Sequence, residues 1–172
     1  MNALDALVFP NISDTIAPMI EKVLLFDENW REIETPGSNQ RIKLAGKTRI
    51  VARAFDQMNG NGGNRKLGIY RLGFQILRAD KTPVSDVVWT ISFERLPDAD
   101  AVKLVYAPGS QSGYAPQTFF NYIVSNRVDG DGAREDYFDV GQLEKGFYVL
   151  RVFAADFFQN NTAQDINIEV VK

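Results

Sequence analysis

The sequence contains neither cysteine nor histidine, and these two absences exclude most nucleophilic and metal-dependent chemistry. Without cysteine there can be no disulfide, thiol nucleophile, zinc–thiolate site or iron–sulfur cluster. Without histidine there can be no serine–histidine–aspartate triad and no imidazole ligand for zinc. Chemistry carried by carboxylates alone, as in glycoside hydrolases, remains open. We therefore expect that this chain is not an enzyme.

Long apolar runs and concentrated charge are also missing. The longest largely apolar runs, residues 23–26 and 149–155, have the length of a strand, whereas a helix that crosses a bilayer needs about 20 residues. We therefore expect no transmembrane segment. The formal net charge is −3 and the basic residues are scattered, so no nucleic-acid partner is expected. The first residues lack the basic and apolar regions of a signal peptide, so any targeting segment is expected upstream.

What the sequence does contain is apolar residues at every second position, a period typical of half-buried strands. The apolar fraction of 45% is enough for a core. Alternation covers residues 48–55, 67–77, 87–94, 102–106, 120–124, 148–154 and 166–170. Each face would bury three or four large side chains at about 1.5–3 kcal/mol apiece, and two facing sheets do this best. The pattern predicts an all-β, immunoglobulin-like antiparallel β-sandwich of about eight or nine strands.

Turn residues divide the chain into a short junction and one domain. Residues 1–13 are predicted to be a linker or junction segment, and residues 14–172 the sandwich domain. Residues 106–143 are rich in glycine, proline and polar residues, which predicts a long elaborated hairpin or loop region. Trp89 lies on the apolar face of its alternating segment and is therefore predicted to be part of the core.

Two alternating segments end in an aspartate, Asp56 and Asp156. In a sandwich of this kind the two strands are expected to be neighbours that end at the same pole. With Asn160, Asn161 and Asp14 they could supply carboxylate and amide oxygens to a calcium ion. The simpler interpretation is that each aspartate caps its own loop by accepting backbone N–H bonds. On that interpretation the chain needs no cofactor.

Three aromatic residues outside the predicted core are candidates for stacking on a sugar. Trp30 follows a polar turn, Tyr114 lies in a segment rich in glycine and serine, and Tyr137 follows two acidic residues. A flat ring exposed on a loop is a usual platform for carbohydrate. The alternative is that these rings pack as lids over the ends of the sandwich.

Three segments resemble motifs of bacterial immunoglobulin-like modules. Residues 14–20, DTIAPMI, look like their D-x-x-A-P-x-I entry, in which the proline keeps the preceding residue out of the helical region. Residues 46–56, GKTRIVARAFD, are similar to a G-x-x-x-I-x-A-x-A-x-D strand. Residues 146–162 resemble the closing G-x-Y-x-L-x-V-x-A-x-D-x-x-G-N-x-(S/T) pattern, although Gln159 or Asn160 stands where the family usually has glycine.

The order of the first segments is similar to the junction after the catalytic domain of some lysostaphin-like zinc metallopeptidases, which cut peptidoglycan. That junction reads Asn-Pro, and Ala3 departs from it. The resemblance implies an accessory domain of an envelope peptidase, located in the periplasm or outside the cell. Its partner would be a catalytic domain in the same parent chain, or cell-wall glycan or protein. The peptidase motifs H-x-x-x-D and H-x-H are impossible here, so no catalytic residue is carried over. A carbohydrate- or peptidoglycan-binding module and a structural adhesion-type module remain as alternatives.

Overall fold

A computed structural model describes residues 12–34, 37, 40–61, 65–95, 97–111, 117–130 and 132–171. About half of the chain lies in strands and very little in helix, and the strands form a curled, sandwich-like arrangement of two sheets. The predicted all-β sandwich is therefore confirmed. Most of the predicted junction, residues 1–11, lies outside the described residues.

The described residues form eleven strands, rather than eight or nine, because several pairings are only two or three residues long. The strands are β1 (Met19–Phe26), β2 (Ile42–Leu44), β3 (Lys47–Phe55), β4 (Arg71–Arg78), β5 (Val88–Ser92), β6 (Asn121–Ile123), β7 (Arg127–Asp129), β8 (Gly132–Arg134), β9 (Phe138–Asp139), β10 (Gly146–Ala155) and β11 (Asn161–Val170). Such short pairings lie below the length at which alternation can be recognised in a sequence.

The two sheets differ in size and in strand direction. The small sheet has the order β1-β3-β6, and β9 also pairs with β3. The large sheet has the order β2-β11-β10-β4-β5-β7-β8. Strand β2 runs parallel to β11, and β5 runs parallel to β7, so this sheet is mixed and not purely antiparallel. Parallel neighbours need a crossover connection, and between β5 and β7 the chain passes through β6 of the small sheet.

The core lies between the sheets and is built from the alternating faces. Leu72 of β4, Leu150 of β10 and Ile168 of β11 face Ile50 of β3, and each of the four is 0% exposed. Strand β3 is also covered on its second face, where Val51 belongs to a smaller cluster of buried side chains. Since each such side chain stabilises the fold by about 1.5–3 kcal/mol, the alternating faces account for how the sheets are held together.

Residues 102–106 were predicted to form a strand, but they form a short helix. A 3-10 turn at Ala99–Ala101 leads into helix α1 at Val102–Val105. Ala101 and Val105 are buried, whereas Val102 is 54% exposed. The two buried residues are four positions apart, which is about one helical turn. A strand would have turned Val102 inward instead.

Trp89 was predicted to be in the core, and this prediction is wrong. The pairing of β4 with β5 shifts between Leu72, opposite Ile91, and Gly73, opposite Trp89. A bulge of this kind reverses the alternation of the strand beyond it. Thr90 is therefore buried and donates its hydroxyl to a backbone carbonyl. The ring of Trp89 is only partly buried and packs against a neighbouring ring on the outer face of the large sheet.

Candidate functional site

Three aspartates that are far apart in the sequence meet at one pole of the sandwich. Asp14 precedes β1, Asp56 follows β3 and Asp156 follows β10. Strands β1 and β3 are antiparallel, with Met19 opposite Phe55, so the start of β1 lies beside the end of β3. One carboxylate oxygen from each aspartate lies within 4.8 Å of the other two. Strands β3 and β10 reach this pole in opposite sheets, and not as the paired neighbours that the sequence suggested.

Two of the three carboxylates accept hydrogen bonds from backbone N–H groups of the loops at this pole. Oδ1 of Asp14 accepts from the backbone N–H groups of Ile16, at 3.1 Å, and Asn59, at 3.2 Å. Oδ1 of Asp156 accepts from the backbone N–H of Asn160 at 2.8 Å. These bonds are those expected of aspartates that cap turns. Loop capping therefore accounts for the positions of two of the three side chains.

The third carboxylate, that of Asp56, has one oxygen without a hydrogen-bond partner. Asp56 is 8% exposed, and its Oδ1 is buried without a hydrogen-bond partner. Burial is the main cause that raises the pKa of Asp56 to about 6, and the charges of Asp156 and Asp14 raise it further, while a hydrogen bond from the backbone of Gln57 lowers it. An unpaired carboxylate oxygen in such surroundings is costly as an anion.

Asn160 connects the aspartates, but through its amide nitrogen. Its Nδ2 donates to Oδ2 of Asp156 at 2.7 Å and to the backbone carbonyl of Asp14 at 3.1 Å. The side chain therefore acts as a donor that positions the carboxylate, and not as the carbonyl ligand that the sequence suggested. Asn161 begins β11, and its side chain donates to the carbonyl of Gln159 instead.

Trp30 and Tyr137, two of the predicted stacking residues, flank a buried arginine. The guanidinium carbon of Arg49 lies 4.6 Å from the ring centroid of Trp30 and 4.5 Å from that of Tyr137. Arg49 donates to Oη of Tyr137 at 2.6 Å and pairs with Glu135 at 2.7 Å. Trp30 also lines a groove of about 850 Å³ beside helix α1. The third predicted stacking residue, Tyr114, lies outside the described residues.

A second groove, of about 600 Å³, lies on the outer face of the large sheet and is lined by aromatic rings that were not predicted as a site. Trp89 packs against Phe153 with centroids 6.0 Å apart, and Tyr70 packs against Phe157 at 5.4 Å. The guanidinium of Arg71 lies 4.9 Å from the ring centroid of Trp89. Polar residues complete the lining: Asp156, Gln159 and Asn161. We name this the aromatic groove. It adjoins the aspartate cluster through Asp156.

The one sequence signal for the aromatic groove is a glycine inside an alternating strand. Gly73 lies inside β4, on the face opposite to Leu72, and a glycine in a strand often marks a bulge. The bulge at Gly73 is what turns Trp89 outward. The sequence pattern around Phe157 and Phe158 contains no comparable signal.

The chain was compared with protein-family models, with curated proteins and with solved structures, and none of the three comparisons finds a match. In the described residues, no helix has the length and apolar character needed to cross a membrane. The fold, the aspartate cluster and the aromatic groove are therefore the features that bear on function.

Proposed function

We propose that this chain is a non-catalytic accessory domain of an envelope-associated peptidoglycan metallopeptidase, where it positions or docks the enzyme. The observation that supports the proposal is the meeting of Asp14, Asp56 and Asp156 within 4.8 Å. The three segments that resemble bacterial immunoglobulin-like modules each contain one of these aspartates. Motifs that belong to one immunoglobulin-like module are expected to lie close together in the fold. The three aspartates, one from each motif, meet this expectation.

The coding sequence upstream of residue 1 tests the proposal directly. We expect a continuous reading frame that encodes a peptidase domain with the motifs H-x-x-x-D and H-x-H. An upstream frame without these motifs would contradict the accessory role. Incubation of the isolated chain with purified sacculi tests the absence of catalysis. We expect no soluble fragments of peptidoglycan, and their release would show that the carboxylates act on the substrate.

The aromatic groove favours a second candidate, a module that binds carbohydrate or peptidoglycan. Ligand sites are concave and mostly apolar, with a few polar groups that orient the ligand. The groove combines the rings of Trp89, Phe153 and Tyr70 with the polar side chains of Arg71 and Asn161. This set differs from the predicted one, since Trp30 and Tyr137 face an arginine of the chain itself.

Tryptophan fluorescence can separate the two sets of rings, because the chain has only two tryptophans. We expect glycan fragments to quench Trp89, and a Trp89→Leu variant to lose both the quenching and the cosedimentation with sacculi. A Trp30→Phe variant is the matched control and should keep both, with circular dichroism confirming that each variant is folded. Failure of wild-type protein to bind sacculi would contradict a glycan-binding role.

A further inference from the structure

We propose that Asp14, Asp56 and Asp156 bind one calcium ion at the pole where β1 begins and where β3 and β10 end. The site is independent of the proposed function, because it follows from the described residues alone. A bound ion would join the segment before β1 and the small sheet to the hairpin formed by β10 and β11 in the large sheet.

Charge is one reason to place a cation between the three aspartates. The three aspartates are 7%, 8% and 3% exposed, so three carboxyl groups share one buried region. Among the described residues, no lysine or arginine forms an ion pair with any of these three aspartates. Buried like charges destabilise one another unless a cation or a proton neutralises them.

The hydrogen bonds of the three carboxylates are a second reason. Capping of loops accounts for Asp14 and for Asp156, whose oxygens accept backbone N–H groups. It leaves Oδ1 of Asp56 unexplained, since this atom is buried with no hydrogen-bond partner. Buried polar atoms in native proteins nearly always have a partner. A cation held between the three carboxylates would supply it.

The ligand atoms of the cluster favour calcium over other cations. Carboxylate oxygens are hard ligands, which calcium and magnesium prefer and which zinc takes less readily than nitrogen or sulfur. Calcium binds oxygen at about 2.3–2.6 Å, so two ligands on opposite sides of the ion are up to about 5 Å apart. All three oxygens lie within 4.8 Å of one another, so one ion of that size can contact them together. Magnesium demands a tighter octahedron with ligands at about 2.0–2.1 Å.

Asn160 is a positioning residue for this site. Its Nδ2 donates a hydrogen bond to Oδ2 of Asp156, and its backbone N–H donates one to Oδ1 of the same carboxylate. Asn160 therefore fixes the orientation of Asp156 in the hairpin turn. The same turn forms one wall of the aromatic groove through Gln159, so a bound ion would also stabilise that wall.

Thermal unfolding and calorimetry of the whole chain test the proposal, after removal of metal with a chelator and addition of calcium chloride or magnesium chloride. We expect calorimetry to give one calcium ion per chain. We also expect Tm to rise by about 3–6 °C when free calcium exceeds Kd tenfold. Magnesium at the same concentration should give a smaller rise. An equal rise with magnesium would overturn the assignment to calcium.

Variants distinguish a metal site from aspartates that only cap loops. Asp56→Asn and Asp156→Asn should lose the calcium-dependent rise, whereas Asp80→Asn should keep it. Asp80 is the matched control, because it is an exposed aspartate that caps a turn alone by accepting from Thr82. In chelator, Asp56→Asn should be at least as stable as the wild type, because the substitution removes one of three buried like charges.

Two further outcomes would overturn the proposal. The first is a wild-type Tm that does not change at millimolar calcium. The second is an equal rise in the wild type and in all three variants, which would show that calcium acts elsewhere. Asp14→Asn provides a further readout if either of the first two variants fails to fold, since Asp14 lies in the entry segment before β1.

Discussion

Substitution of Gly73 by alanine tests the bulge that turns Trp89 outward. Gly73 is buried in β4, directly opposite Trp89 of β5. A Cβ atom at this position would overlap the carbonyl oxygen of Val88. It would also lie 3.0 Å from Cα of Trp89 and 3.1 Å from the carbonyl carbon of Val88. These are backbone atoms of a paired strand, so no side-chain rotation can relieve the contact.

The expected loss follows from the cost of inserting atoms into a packed region. Such substitutions destabilise proteins by about 1–3 kcal/mol, and we expect the upper half of this range because the overlap is with backbone. With a urea m-value of about 2 kcal/mol/M, the midpoint of unfolding should fall by about 1 M. Equilibrium unfolding in urea, followed by circular dichroism, measures this fall. The emission of Trp89 should also change, since its strand must shift away from β4.

Gly68→Ala is the matched control. Gly68 is exposed, and a Cβ atom there would lie 3.5 Å from Oη of Tyr122, which is an ordinary contact. We expect its free energy of unfolding to change by less than about 0.5 kcal/mol. An unchanged urea midpoint for Gly73→Ala, or equal losses in the two variants, would refute the inference that this bulge has no room for a side chain.

Three further predictions follow from buried or paired polar groups. Tyr122→Phe should lower the free energy of unfolding, measured in urea, by about 1–3 kcal/mol. The reason is that Oη of the fully buried Tyr122 accepts a hydrogen bond from the backbone N–H of Ile69 at 2.9 Å. An unchanged free energy would mean that this N–H finds another acceptor. Arg49→Lys should lower the free energy of unfolding by about 2 kcal/mol in the same assay and should change the tryptophan emission. Lysine cannot stack between two rings or keep both hydrogen bonds. An unchanged emission spectrum would contradict the stacking. The Arg151 guanidinium holds the pKa of Asp165 below its ordinary value of 3.8, so the pair stabilises the fold above pH 3.8 and this contribution is lost as the pH falls through the lower, folded-state pKa. Arg151→Gln should therefore cost less than about 1 kcal/mol at pH 7, because both groups are partly exposed, and the difference from the wild type should shrink below pH 3.8; a difference that is independent of pH would contradict this.

The sequence could predict the sandwich because alternation is a local property. Along β4 and β10 the inward side chains, such as Leu72, Ile76, Leu150 and Val152, occupy every second position, and all four are buried. Two-sided burial of such faces requires a second sheet. The same local reasoning failed for Val102–Val105, where a few alternating residues fit a helical turn equally well.

The sequence by itself therefore determined the class of fold and which residues line most of its core, because strand periodicity depends only on neighbouring side chains. The tertiary structure alone decided that Trp89 faces outward, since one shift in the pairing of two strands reverses a face. It also decided that Asp14 joins Asp56 and Asp156 within 4.8 Å, and that these last two reach the pole from opposite sheets. Distances between residues far apart in the chain depend on how the sheets pack, and no local pattern encodes that packing.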